Sequence, residues 1–232
     1  MGIAYIKRSK TGRINIKIGN KVDYTLKAVL WSLGIVTVVA FLFFDYTGFQ
    51  LTSALKETMT NLQTMFLTPA LNHFSWGEAF YQVGVTLALA VLSTVIGAVI
   101  AFFLALLSAE NLSNQGVAKV IKTYVAFIRA VPTVLWVLIF AIAAGLGSTA
   151  AVLGMLFHSV AYLVKAFSES FEEVDKGVLE ALRSTGAGWW QTIVHAVLPS
   201  TMTYLLSWTF LRFEINFSVA VAMGAAAGAG GI

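Results

Sequence analysis

Cysteine is absent from this 232-residue chain, and charged side chains make up only 11% of it. The missing cysteine excludes disulfide bonds and any metal site built on thiolates. The scarcity of charge accompanies a hydrophobic content of 58%. Together they exclude an ordinary soluble domain, in which about a quarter of the residues are charged. The composition therefore predicts an integral membrane protein.

Motifs for nucleotide or metal chemistry are also missing. The sequence has no G-x4-G-K-[ST] loop, so any ATP hydrolysis that serves this protein is expected in another chain. The three histidines, His73, His158 and His195, are far apart and form no paired metal-binding motif. We therefore predict neither a catalytic site nor a metal site. Because His158 lies in an apolar run, we expect it to be hydrogen-bonded between helices.

The N-terminal region lacks the features of a cleavable signal peptide. The first apolar run begins only at Ala28, and Asp45 follows it in place of a small-residue cleavage site. We interpret residues 1–27 as a basic arm and residues 28–44 as a retained first transmembrane helix.

Five apolar runs approach or exceed the length of about 20 residues that a helix needs to cross a bilayer. They are uniformly apolar, whereas the strands of a membrane barrel alternate. Helices also satisfy their own backbone hydrogen bonds in lipid. The predicted fold class is therefore an all-α integral membrane protein. The five runs cover residues 28–44, 79–107, 121–144, 148–167 and 194–211.

Lysine and arginine are distributed unevenly over the connections between these runs. Seven precede the first run, Lys56 is the only one in residues 45–78, and residues 145–149 have none. Because basic connections stay in the cytoplasm, we predict a cytoplasmic N-terminus and a cytoplasmic segment at 168–193. The basic arm and the net charge of +4 then indicate contact with anionic lipid and not with nucleic acid.

An amphipathic helix is predicted in the extracytoplasmic connection, residues 45–78. Apolar residues recur there at helical spacing, and polar residues fill the other face. Such a helix can lie on the membrane surface or pack on the other spans, and we assign it no chemistry. The apolar positions are Leu51, Leu55, Met59, Leu62 and Phe66.

Small residues recur within the predicted spans, for example Gly97, Ala98 and Ala101. Small side chains let helices approach closely in lipid. They favour a packed bundle or an oligomer interface.

The segment 168–193 is polar although it lies between two apolar runs. Its start is acidic, which suits the beginning of a helix, and Gly177 can break that helix. Residues 178–183 are predicted to form a short helix, and Gly186 allows a sharp turn after it. Pro199 lies inside the next span and can kink it.

The pattern E-A-L-x3-G-x11-L-P resembles the coupling motif of binding-protein-dependent ABC importer permeases, which usually reads EAA-x3-G-x9-I-x-LP. Leu182 replaces the second alanine of that motif, and Ala196 replaces the isoleucine. Neither replacement is expected to abolish docking, because both side chains stay small or apolar. The motif positions are Glu180, Ala181, Leu182, Gly186, Leu198 and Pro199.

Further motifs are similar to the permease of phosphonate importers. The similarity covers residues 75 to 232, and we expect the permease core at 79–232, with the coupling loop at 168–193. The fold it implies is a type I ABC importer permease bundle in the bacterial inner membrane. The motifs are Ile128–Trp136 (IRAVPTVLW), Glu180–Ala187 (EALRSTGA), Arg212–Asn216 (RFEIN) and Gly228–Ile232 (GAGGI).

The resemblance implies a mechanism with several partners. Two permease copies would form the pathway. Two cytoplasmic ATP-binding subunits would bind the short helix and turn around Glu180 to Gly186. ATP and Mg²⁺ would be bound by those subunits, and this chain would hold no cofactor. A soluble extracytoplasmic binding protein would deliver the anion.

Arg212, Glu214 and Asn216 are the candidates for the substrate pathway. A guanidinium matches the oxygens of a phosphonate dianion in a bidentate way. Arg212 and Glu214 are two residues apart at the outer end of the predicted fifth span, so they point to different faces of a helix and are not expected to pair. Structural contacts to neighbouring helices, or to the binding protein, are the alternative role for both.

Three alternatives remain open. An integral-membrane enzyme would need a clustered nucleophile and base, which we do not find. A secondary transporter would usually show repeated halves. An importer of the same class could carry phosphite, phosphate, methionine or a thiamine precursor. In the family the glycine-rich stretch Gly228–Ile232 is followed by a further spanning helix, so we expect five spans with that last helix missing.

Overall fold

The computed structural model describes residues 7–8, 14–15, 21–45, 48, 50–68 and 75–231, except the side chains of residues 7, 8, 14, 15, 225 and 226. Most of the predicted basic arm, His73 and Ile232 lie outside the described residues. The chain divides into two compact units, Met1–Ala70 and Leu71–Ile232.

The first unit contains two short strands and two helices. Strands β1 (Lys7–Arg8) and β2 (Ile14–Asn15) pair antiparallel, and helices α1 (Lys21–Phe43) and α2 (Leu51–Leu67) follow. None of the described side chains of this unit is buried. A helix as apolar as α1 with no buried face is suited to contact with lipid.

Both predicted helices of this unit are present. The helix α1 begins at Lys21, inside the segment that we predicted as an arm, because residues 21–27 contain no glycine or proline to stop a helix. The predicted amphipathic helix is α2. Its position on the membrane surface stays a prediction.

The second unit is a bundle built around α6. Helices α3, α4, α5 and α9 all pack on α6. The elements are α3 (Trp76–Ser108), α4 (Gln115–Ala130), α5 (Thr133–Ala144), α6 (Ser148–Glu172), α7 (Lys176–Ser184), α8 (Trp189–Thr192), a π-helical turn (Ile193–Val197) and α9 (Leu198–Ala227).

Side-chain caps fix where the first two helices of the bundle begin. At the start of α3, the Ser75 backbone N–H donates to Glu78 Oε2 at 2.7 Å, and the Glu78 N–H donates to Ser75 Oγ at 3.3 Å. This is a reciprocal capping box. At the start of α4, the Gly116 N–H donates to Asn114 Oδ1 at 2.7 Å. Both caps satisfy donors that a helix leaves unpaired at its N-terminus.

The predicted span 121–144 is not one straight helix. The structure has α4 and α5 in its place, with a bend of 90° between them. Val131 precedes Pro132 and adopts φ −96° and ψ 125°, because a residue before proline is driven out of the helical region. Four described helices are long and apolar enough to cross a membrane, and the bent pair raises this number to five if it counts as one span.

The predicted fifth span is too short at both ends. The helical segment that starts at Trp189 passes through the π-helical turn and continues to Ala227, so Arg212 lies in mid-helix and not at an outer end. Within the π-helical turn, the Leu198 N–H donates to the Ile193 carbonyl, five residues back. Proline has no N–H to donate, so the regular hydrogen-bond pattern is interrupted at Pro199. The wider π-helical turn lies directly before this interruption.

Small residues set the closest helix contacts of the bundle. A Cβ added to Gly154 of α6 would lie 2.5 Å from the backbone of Val137 in α5. A Cβ at Gly97 of α3 would lie 3.1 Å from Ser159 Cβ in α6. Gly97 and Ala101 are buried, as a packed bundle requires. The sequence reasoning identified Gly97 but missed Gly154.

Candidate functional site

The predicted short helix of the polar segment is α7, and Asp175 starts it. Asp175 Oδ1 accepts hydrogen bonds from the N–H groups of Gly177 at 2.7 Å and Val178 at 3.2 Å. The break from α6 therefore lies at residues 173–175, and Gly177 is inside α7, not at the break. An N-cap aspartate satisfies helix donors in this way in many proteins.

The two faces of α7 differ sharply in burial. Leu179 is only 3% exposed and joins the core cluster of the bundle, and Leu182 packs against the same cluster. Glu180, Ala181 and Arg183 are exposed on the other side. Four of the predicted motif residues therefore lie on this helix or directly after it. Leu182 anchors the helix in the core, whereas Glu180, Ala181 and Gly186 are exposed.

Gly186 ends α7 with a left-handed turn. Its φ is +83°, and its N–H donates to the Arg183 carbonyl at 3.0 Å. A Cβ at Gly186 would meet no atom within 4 Å. Glycine is therefore required by the backbone angle, and the space beside it is open.

The α7 end of the bundle is held by the connection between α3 and α4. Arg183 Nη2 donates to the Asn111 carbonyl at 3.1 Å, and Trp189 Nε1 donates to the Leu112 carbonyl at 2.8 Å. Asn111 Nδ2 in turn donates to the carbonyl of Phe171, near the end of α6, at 2.8 Å. The sequence analysis missed these contacts, because their partners are at least 60 residues apart.

An ion-pair group adds to this attachment. Lys122 Nζ on α4 lies 2.8 Å from Glu110 Oε1 and 2.9 Å from Glu172 Oε1. The Glu110 backbone N–H also donates to Glu172 Oε1 at 2.9 Å. The hydrogen bond from Lys122, followed by its charge, holds the pKa of Glu110 below its ordinary value. The segment from α6 to α8 is therefore tied to both α3 and α4.

Leu198 and Pro199 stand apart from the other motif residues. They begin α9, directly after the π-helical turn, and that turn packs against α7. Leu198 is partly buried against the core, whereas Pro199 is exposed. Their position links α7 to the long helix that carries Arg212.

Arg212 lies inside the bundle and is only 1% exposed. Its Nε donates to Ser159 Oγ on α6 at 2.9 Å, and its Nη2 lies 3.2 Å from His158 Nδ1. Its guanidinium carbon is 5.3 Å from the centre of the Tyr162 ring, a cation–π distance. Within the described residues, no carboxylate forms an ion pair with it.

Asn216 extends this buried polar cluster by one helical turn. Its Nδ2 donates to Thr94 Oγ1 on α3 at 2.8 Å and to Ser159 Oγ at 2.9 Å. His158 Nδ1 is also 3.1 Å from Thr133 Oγ1 on α5. The expectation of an interhelical histidine is confirmed. The cluster thus joins α3, α5, α6 and α9 through polar contacts, which are scarce inside membrane proteins.

Glu214 is separate from the cluster. It is exposed on another face of α9 and lines a depression of about 370 Å³ with Val134 and Ser218. The prediction that Arg212 and Glu214 do not pair agrees with their placement on different faces. Of the three pathway candidates, the structure brings together Arg212 and Asn216. Their role in a substrate pathway stays a prediction.

Comparison with known proteins places this architecture among transport proteins. Residues 101–232 match the family model described as "binding-protein-dependent transport system inner membrane component". The chain is 32% identical over 156 residues to the phosphate-import permease protein PhnE of Mycolicibacterium smegmatis, which covers 67% of this chain and 29% of the relative. It is 36% identical over 151 residues to the phosphite transport system permease protein PtxC of Stutzerimonas stutzeri, covering 63% and 54%.

Solved structures show the same fold. A structure of the MetNI methionine ABC transporter, in an inward-facing conformation, matches with a TM-score of 0.60 at 22% identity, covering 68% of this chain and 79% of the other. An amino acid ABC transporter matches with a TM-score of 0.55 at 21% identity, covering 65% and 72%. The type I ABC importer permease fold and the resemblance to phosphonate-type permeases are thereby confirmed. The chain spans 29% of the length of PhnE and about half that of PtxC.

Proposed function

Because the chain belongs to the family of binding-protein-dependent transport system inner membrane components, we propose that it is the membrane-spanning permease subunit of an ATP-driven importer. The observation that carries this proposal is the construction of α7. One face is anchored in the core through Leu179, and the other presents Glu180 and Ala181 to a partner. A helix with one face packed in the core and the other face exposed can transmit the movement of a bound partner to the bundle.

The proposed partner on that face is a separate cytoplasmic ATP-binding subunit. The subunit binds ATP and Mg²⁺, and this chain supplies the exposed face of α7 that the subunit contacts. When the subunit moves α7, the hydrogen bonds of Arg183 and Trp189 carry the movement to the connection between α3 and α4. The π-helical turn carries it to α9, which holds the buried polar cluster.

The proposed cargo is a phosphonate or a related small oxyanion. The two relatives are named for phosphate import and for phosphite transport. Arg212 is the residue of this chain best suited to such an anion, since a guanidinium offers paired donors to phosphate-type oxygens. In the proposed transporter, a second permease copy completes the pathway, and an extracytoplasmic solute-binding protein delivers the anion.

A pull-down from solubilised membranes tests the coupling. Tagged wild-type chain is compared with Gly186→Trp, which forces a bulky side chain into a left-handed turn on the exposed face. The matched control is Gly84→Trp on α3, where a Cβ also meets no atom within 4 Å. We expect an ATP-binding subunit to co-purify with the wild type and the control and to be lost with Gly186→Trp.

The opposite results decide against the proposal. If folded wild-type chain retains no ATP-binding subunit, an ATPase-independent secondary transporter becomes the better interpretation. If Gly186→Trp retains as much subunit as Gly84→Trp, the contact does not lie on α7.

A further inference from the structure

A cavity lined by charged, polar and apolar side chains lies at the α7 end of the bundle. It has a volume of about 210 Å³ and is lined by the last residue of α3, by α4 and by the final turns of α6. Arg212 and Asn216 do not line it, so it is distinct from the buried polar cluster. None of the coupling-motif residues lines it either, so neither predicted site accounts for it.

Three basic side chains line the cavity, but only one of them lacks a carboxylate partner. Lys122 is paired with Glu110 and Glu172, and Lys165 is paired with Glu169. Among the described residues, the guanidinium of Arg129 has no ion pair. Its carbon lies 5.8 Å from the centre of the Tyr162 ring. Arg129 therefore keeps its hydrogen-bond donors available to a ligand.

Ser108 provides an independent observation in the same cavity. It is only 1% exposed, and its Oγ has no hydrogen-bond partner in the part of the chain that the structure describes. Buried hydroxyl groups are nearly always paired, because an unpaired one has lost its hydrogen bonds to water without replacement. A cavity lined by an unpaired hydroxyl and by a guanidinium without an ion pair is suited to a ligand that accepts hydrogen bonds.

The carboxylates in the wall do not oppose an anion in this position. Glu172 already accepts from Lys122 and from the Glu110 N–H, and Glu169 is bound to Lys165. Lys122 is shared with Glu110, and the lining of the cavity holds three basic side chains and two carboxylates. The donors that remain are those of Arg129 and Ser108, and guanidinium binds planar pairs of phosphate oxygens well.

We propose that this cavity binds a phosphate-type oxyanion, held by the guanidinium of Arg129 and the hydroxyl of Ser108. The same chemistry is offered by a free phosphate ion and by the phosphate of an anionic lipid headgroup. The site goes beyond the importer function and does not depend on it, because it requires neither an ATP-binding subunit nor transport.

The test uses the full chain in nanodiscs and needs no partner protein. In phosphatidylcholine discs, inorganic phosphate is titrated and binding is measured by calorimetry at constant ionic strength. In discs that also contain phosphatidylglycerol, native mass spectrometry measures how much of that lipid stays bound. The variants are Arg129→Gln and Ser108→Ala. Lys119→Gln is the matched control, since Lys119 lies on the same helix, is exposed and does not line the cavity.

We expect Arg129→Gln to weaken binding about tenfold or more, as the loss of a charged hydrogen bond predicts, and Lys119→Gln to leave it unchanged. Loss of phosphate binding identifies a soluble anion as the ligand. Loss of retained phosphatidylglycerol alone identifies a lipid headgroup. Either result supports the site.

Two results overturn the proposal. One is a wild-type chain that binds neither inorganic phosphate nor phosphatidylglycerol. The other is binding that survives in both Arg129→Gln and Ser108→Ala. Unfolding curves followed by tryptophan fluorescence show whether each variant is folded. If Arg129→Gln is not, Ser108→Ala, which removes one oxygen atom, decides the question.

Discussion

Arg212 and Ser159 are joined by a 2.9 Å hydrogen bond in the middle of the bundle, where neither side chain is more than 1% exposed. The same serine oxygen accepts from Asn216. A positive charge at such a place is costly. A stability role alone does not require one, because well-packed apolar side chains usually stabilise a core at least as well as buried charges do.

The variant Arg212→Met separates a structural role from a role in the pathway. Methionine is similar in length and removes the charge, and Ser159 keeps its bond to Asn216. We therefore expect the thermal unfolding midpoint to stay the same or rise, while uptake of phosphonate or phosphite by the proposed importer falls at least about tenfold. Full uptake by a folded Arg212→Met variant would remove Arg212 from the pathway.

Glu180 is the residue through which we test the exposed face of α7. The variant Glu180→Arg reverses a charge that faces outward, so the fold should tolerate it. We expect the variant to stimulate the proposed ATP-binding subunit less than the wild type does, because reversing a charge within a contact disturbs its electrostatic complementarity. The control is Glu173→Arg, which reverses an exposed charge outside α7. Equal ATPase activity in the two variants would argue against the proposed contact.

Gly154 and Val137 set the spacing of α5 and α6. In Gly154→Ala the new Cβ would come within 2.5 Å of the Val137 backbone, which cannot rotate away as a side chain could. We expect a loss of about 1–3 kcal/mol in the free energy of unfolding and a lower thermal midpoint. Gly84→Ala, in open space on α3, should be neutral or slightly stabilising. The idea fails if both alanine variants unfold at the same temperature.

The pair between Glu110 and Lys122 predicts a dependence of stability on pH. The hydrogen bond and charge of Lys122 hold the folded pKa of Glu110 below its ordinary value of 4.5. A lowered folded pKa stabilises the fold above 4.5, and this contribution is lost as the pH falls through the folded value. The unfolding midpoints of wild type and Glu110→Gln should therefore differ at neutral pH and converge in acid. A difference that grows below pH 4.5 would contradict this.

The sequence predicted the parts of the structure that depend on neighbours along the chain. The short helix α7 follows from its local pattern, since Leu179 and Leu182 share one face and Glu180 and Arg183 do not. The separation of Glu214 from Arg212 follows from helix geometry.

Other features depend on distant residues, and hydropathy cannot reveal them. The run 121–144 is mostly apolar, so its mean hydropathy did not show the bend that Pro132 imposes between α4 and α5. The partners of Asn216 lie 57 and 122 residues away along the chain. No periodicity in the sequence links such positions. The buried cluster can therefore be identified only from the packing of the helices in the structure.

The π-helical turn Ile193–Val197 has a consequence for the phase of α9. A π-helical turn holds one residue more than an α-helical turn of the same rise. Removing a single residue within the turn would restore the regular repeat and keep the rest of α9 in phase, whereas removing one from the α-helical stretch between Pro199 and Arg212 would rotate the rest of α9 by about 100° relative to α7. Such a rotation would carry Arg212 away from Ser159 and leave both motif segments unchanged in sequence. The number of residues between the coupling motif and the segment Arg212–Asn216 is therefore as important for the site as the side chains themselves.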